Sequence, residues 1–179
     1  MIYTDVLDFW FDELSPADWW KKDTNLDDLI KSKFLELHRQ ASNGELFEWR
    51  DTPSGSLAEI IVLDQFSRNI FRGTPRSFLF DGMAIVLAQF AIKNHFDKEL
   101  EPTQRGFLYM PFMHSESAII HEQAKQLFSQ PQMEDNYEFE LKHAAIIEKF
   151  GRYPHRNSIL GRESTPEELE FLKQANSSF

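Results

Sequence analysis

Apolar residues recur at the helical period along almost the whole of this chain, and no run alternates apolar and polar residues in the manner of a half-buried strand. That periodicity commits the chain to an all-α fold. Its punctuation divides the pattern. Ser15-Pro16-Ala17-Asp18 sets a capping serine before an N1 proline, Thr24 with Asp27 is an Asp-ended relative of a capping box, and Ser56 with Glu59 and Thr165-Pro166 with Glu168 are capping boxes. Asn43-Gly44, Gly73-Thr74-Pro75, Met110-Pro111 and Gly151 mark helix ends. The spacing predicts helices near 3–13, 25–42, 56–72, 76–95, 103–112, 115–130, 135–150 and 165–175, with a further short turn near 17–20. Connections this short make neighbouring helices antiparallel hairpins. With no Pro/Ser/Gly linker in sight, the expectation is one all-helical domain of about eight helices, 1–179. A repeat of roughly 34 residues, the mark of a tetratricopeptide array, does not stand out.

Composition narrows the function classes. The 17 Phe and 4 Trp are ample filler for a core, and a chain of 179 residues buries about two-thirds of the surface its unfolded form exposes. Without cysteine there is no disulfide, no thiolate chemistry and no Cys-ligated metal. The start, M-I-Y-T-D-V-L-D-F-W, carries acids where a signal peptide carries Lys or Arg, and no apolar run approaches the roughly 18 residues of a membrane helix. A soluble cytoplasmic protein with no membrane partner is expected. The formal charge of −10 argues against nucleic acid, because phosphate neutralisation needs a basic face. Six of the nine arginines nevertheless fall in two short windows, Arg68/Arg72/Arg76 and Arg152/Arg156/Arg162. A local basic site in an acidic protein suits a small anionic ligand.

Polar residues interrupt three apolar faces. On a wheel of about 100° per residue, the 56–72 segment is apolar all round, yet Asp64 and Arg68 fall beside Leu57, Ile61 and Phe71, with Asn69 and Arg72 near the end. The i, i+4 spacing lets Asp64 and Arg68 pair. In 135–150, His143 sits in a stripe formed by Phe139, Ile146, Ile147 and Phe150. In a helix starting near Ser115, Glu116 shares a face with Ile120, Gln123 and Leu127; in the first turn its carboxylate would also meet the helix dipole. His114 stands at the preceding junction, while His38, His95, His121 and Glu122 fall on solvated faces. The loop G-R-Y-P-H-R-N-S-I-L-G-R, 151–162, gathers Arg152, His155, Arg156, Asn157 and Arg162. His114, Glu116 and His143 are acceptable metal-ligand types, but neither E-x-x-H nor H-E-x-x-H spacing occurs, and the nearby arginines would repel a cation. No metal or other cofactor is expected, and no G-x-S-x-G elbow or glycine-rich phosphate loop is present.

Taken in order, F-W-F at 9–11, L-D-Q-F-S-R-N-I-F-R-G at 63–73, F-L-Y-M-P-F-M-H-S-E at 107–116, H-x-x-I-I-x-x-F-G-R-Y-P-H-R-N at 143–157 and L-G-R-E-S-T-P-E-E at 160–168 resemble the bacterial family called domain of unknown function 924. The resemblance covers essentially the whole chain. It implies a helical domain of the tetratricopeptide-like superfamily, a right-handed superhelix of hairpins, and no established activity.

Two functions fit these residues. In the first, His114, His143, Glu116 and Asp64 do acid/base work in a cleft, while Arg68, Asn69, Arg72, Arg152, His155, Arg156, Asn157 and Arg162 hold a small anion by bidentate contacts. In the second, the polar clusters are salt-bridged staples of a scaffold that binds a peptide or partner protein, with Trp10, Trp19, Trp20 and Trp49 as interface candidates. The excess of arginine over acid within the two windows favours the first.

Overall fold

The computed structural model describes residues 1–175 and 177; the end of the expected domain, at 176, 178 and 179, lies outside the described residues. Helices occupy all eight expected segments, and no strand occurs among the described residues. Helix α1 (Tyr3–Leu7) continues into a π-turn, Asp8–Glu13, and α2 is Thr24–Ser42. Helix α3 (Pro53–Ile61), a π-turn (Val62–Phe66) and α4 (Ser67–Ile70) run on as one rod. Then come α5 (Asp81–Lys93), α6 (Pro102–Met113), α7 (Ala118–Phe128), α8 (Glu134–Phe150) and α9 (Pro166–Phe171), with 3₁₀ turns at Asp18–Trp20, Phe47–Asp51, Pro75–Phe78, Phe96–Glu99 and Pro154–Arg156.

Several helix starts differ from expectation because a better cap stands nearby. Asp23 caps α2, accepting from the Asn25 and Leu26 amides, which leaves Asp27 for another use. Thr52 caps α3 ahead of an N1 proline, four residues before the expected cap at Ser56. Helix α7 begins only at Ala118, so Glu116 precedes it and no longer sits in the first turn. The Thr165 capping box forms as expected: Thr165 Oγ1 accepts from the Glu168 amide and Glu168 accepts from the Thr165 amide. Gly151 closes α8 with φ 68°, the left-handed turn that glycine adopts without a Cβ penalty. Pro111 does not stop α6, which carries it to Met113.

The helices form two compact units, Met1–Arg72 with Arg76–Pro111, and Gly73–Pro75 with Phe112–Phe179. The boundary in the sequence falls inside α6, so no linker separates them. In the first unit α1 packs on α3, α2 on the π-turn and α4, and α3 on α5. Phe9, Trp10, Phe34, Ile60, Ile61 and Phe66 are buried there, with Phe66 ringed by Phe9, Trp10 and Phe34. In the second unit α7 packs on α8, and Ile146, Ile147 and Tyr153 form a cluster covered by Phe150 and Phe171.

One stretch, Pro75–Lys93, has the length and hydropathy (1.2) of a membrane-crossing segment, contrary to expectation. Its first residues form a 3₁₀ turn, however. The α-helix proper is the 13 residues of α5, about 20 Å at 1.5 Å per residue against a bilayer core of about 30 Å.

Candidate functional site

In the first unit the π-turn shapes the polar cluster. Within it the Leu63 and Asp64 carbonyls accept from side chains, Ser67 Oγ at 2.6 Å and Arg68 at 2.6 Å. Arg68 also pairs with Asp64, as the spacing predicts, at 3.1 Å, and lays both terminal nitrogens on Asp81 at 3.1 Å. Asp27 accepts from Asn69 at 2.8 Å and is gripped by Arg72 at 2.5 and 2.8 Å, which raises the Arg72 guanidinium further above its usual value. Arg68 and Arg72 therefore find their carboxylates on α5 and α2, outside their own window.

The second unit is organised around Tyr153, a residue that the sequence reading passes over. Its hydroxyl donates to the Met113 carbonyl at 2.5 Å, its amide donates to Glu116 at 2.8 Å, and the Arg156 guanidinium lies 4.6 Å from its ring centre. Arg162 places two nitrogens on Glu116 at 2.6 and 2.8 Å and reaches Asn157 Oδ1 at 3.0 Å. Burial pushes the Glu116 carboxyl up, but Arg162 and the Tyr153 amide outweigh it and hold the group below its usual value. Arg152 grips Glu168 at 2.7 and 2.8 Å and lowers it to about 2, helped by the Thr165 amide and Asn157. Arg156 donates to the His114 carbonyl at 2.9 Å. His155 packs at a tilt on the Tyr153 ring. Each guanidinium of the 151–162 loop thus meets an oxygen of its own unit.

His143 is buried as expected, held at about 3 chiefly by desolvation, and its Nδ1 donates to the Phe139 carbonyl at 2.7 Å. It shares its buried face with Ile146 and Ile147 as expected, but Phe139 is exposed and Glu140 takes the inward position one turn before His143. On α7 the buried residues are His121, Ala124 and Phe128, so His121 points in and Gln123 points out. His121 Nε2 donates to the Ser115 carbonyl at 2.8 Å, and Nδ1 lies 2.7 Å from Glu140, whose carboxyl burial raises.

His38 was likewise expected in solvent and is 2% exposed. It lines a recess of about 260 Å³ with Leu35, Glu36 and Arg39 of α2, and with Phe71 and Arg76 from the link between α4 and α5. Desolvation, and then the Arg76 charge, lower His38 to about 4. Arg39 is bonded to Glu36 at 2.7 Å. Arg76 instead lies 4.1 Å from the centre of the Phe71 ring. Among the described residues the other eight arginines all donate to an oxygen of the chain, and Arg76 to none. The signal for His38 was its place at helical spacing from Ile30, Phe34 and Ala41, the buried stripe of α2; Phe71 and Phe80 complete its burial from far along the chain.

Fold and sites together define an all-helical protein in which four arginines of the two windows, Arg68, Arg72, Arg152 and Arg162, are held by its own carboxylates. The chain belongs to the family described as "Bacterial protein of unknown function (DUF924)", which matches residues 6–176. It is similar to the solved structure of a protein of unknown function from Agrobacterium tumefaciens, with 37% identity, 97% of each chain covered and a TM-score of 0.92. No curated protein matches it.

Proposed function

We propose that this protein binds a small anionic ligand in the recess of the first unit, with Arg76 as the group that meets the charge. The observation that carries this reading is Arg76 itself, a guanidinium without an oxygen partner, stacked on Phe71 and lining a cavity that a neutral imidazole also lines. Stacking orients the planar donors of arginine and reduces the ordering cost of a bidentate contact. The recess wall carries two guanidinium groups and one carboxylate, so its own balance is cationic within an acidic protein. The acid/base roles expected of His114, His143, Glu116 and Asp64 have less support, because Asp64 and His143 are buried and Glu116 is held by Arg162 and Tyr153.

A panel of small carboxylates and phosphates tests the proposal by thermal shift at low ionic strength. An anion at 100 times its Kd should stabilise the wild type by about 2.7 kcal/mol. Arg76→Ala should fold normally and lose that response. An unchanged response in Arg76→Ala would move the site elsewhere.

A second reading, the tetratricopeptide-like scaffold for a peptide or partner protein, is favoured by exposed Val86 and Phe90, one turn apart on α5. The tryptophans support it less. Trp10 is buried and Trp19 and Trp49 are half-buried, which leaves Trp20 as the exposed one.

A further inference from the structure

On the reading of the recess just given, we infer that the anion it takes keeps an O–H group on its charged centre, hydrogenphosphate being the simplest member of that class. Ser67 decides the matter by setting the tautomer of His38. Ser67 Oγ lies 2.6 Å from the Leu63 carbonyl and 2.7 Å from His38 Nε2. A carbonyl only accepts, so the single hydroxyl proton goes to Leu63. Ser67 then accepts from His38, and the ring proton of a neutral His38 sits on Nε2.

Nδ1 is left with its lone pair. It has no hydrogen-bond partner among the described residues and is open to solvent. The recess is the space that this ring lines. Burial and the Arg76 charge keep the imidazole neutral. The site therefore pairs a cationic fork with a neutral acceptor. Glu36, the carboxylate of the wall, already accepts from Arg39 at 2.7, 3.0 and 3.1 Å.

This combination distinguishes two anions of nearly the same size and shape. Hydrogenphosphate gives Arg76 its charged oxygens and donates its O–H to Nδ1. Sulfate at neutral pH has four acceptor oxygens and no proton, so one of them would face the Nδ1 lone pair. A site that leaves a polar group unpaired against the wrong ligand discriminates far more strongly than an apolar pocket does.

Isothermal titration of the wild type with inorganic phosphate and with sodium sulfate at matched ionic strength tests the inference without any variant. Phosphate is expected to bind at least about tenfold more tightly. Ser67→Ala, which frees the ring to carry its proton on Nδ1, should bring the two affinities within about threefold by recovering sulfate binding. Equal binding of both anions to the wild type, abolished in Arg76→Ala, would overturn the O–H requirement and leave the recess reading standing. No binding of either anion, or binding indifferent to Arg76→Ala, would overturn both. A wild-type preference for phosphate that Ser67→Ala leaves intact would show that something other than the His38 tautomer sets the selectivity, and would overturn the inference alone.

Discussion

Glu59 shows how this protein handles a buried charge. Its side chain is fully buried on α3, and Arg50, from the preceding 3₁₀ turn, meets both oxygens at 2.7 Å. The sequence offered Glu59 as the closing residue of a capping box at Ser56; the earlier start at Thr52 releases it, and burial then requires a cation. Removing one partner of such a pair strands the other, so Arg50→Ala should cost roughly 3–5 kcal/mol in urea unfolding, with Glu59→Gln milder because the stranded Arg50 is 26% exposed and can reach water. A loss below about 1 kcal/mol for Arg50→Ala would mean that water reaches the carboxylate. The same logic explains the Arg windows. Asp64–Arg68 was legible because the partners are four residues apart, whereas Arg72 with Asp27 and Arg162 with Glu116 are 45 and 46 apart. No local rule selects between acids at that distance, and part of the arginine excess within each window came from counting only neighbours; Arg76 stacks on Phe71, and Arg156 donates to the His114 carbonyl.

Helix existence was readable from period and punctuation, while helix phase was less so. Choosing the wrong stripe exchanges buried for exposed residues, and His121 and Phe139 changed sides for that reason: the buried stripe of α7 is His121, Ala124 and Phe128, and Phe139 is exposed. The π-turn at Val62–Phe66 has no sequence mark either, since a run apolar on all sides looks the same with four or five residues between bonded groups. Two glycines in first turns test the local geometry. A Cβ at Gly55 would lie 2.1 Å from the Trp49 carbonyl oxygen, and one at Gly82 would meet nothing within 4 Å. Gly55→Ala should therefore destabilise by about 1–3 kcal/mol through the clash. Gly82→Ala should stabilise by about 0.5–1 kcal/mol, the ordinary gain of alanine over glycine in a helix. Equal shifts in the two melting temperatures would remove the close approach at Gly55 as a cause.

Across the whole molecule, acid should lower stability over two pH ranges. His38 and His143 are lowered to about 4 and about 3, chiefly by burial, while the unfolded chain takes up protons near 6.5. Their contribution is fully present above 6.5 and is lost as pH falls towards 4 and 3. Glu168, lowered to about 2 by Arg152, adds stability above its ordinary 4.5 that is lost as pH falls towards 2. Glu140, raised by burial, opposes the trend: its contribution is present below 4.5 and is lost with rising pH. The melting temperature should thus decline from about pH 6.5 downward and more steeply below about 4.5. A flat profile between 6.5 and 4.5 would show that both buried imidazoles gain protons without penalty. The sequence by itself determined that the chain is helical and where its helices lie, because capping, turn geometry and amphipathic period act over three or four residues. Only the tertiary structure decided which carboxylates answer Arg72, Arg152 and Arg162, and that Arg76 is left facing a recess. Those outcomes depend on groups tens of residues apart being packed together, and no local preference encodes them.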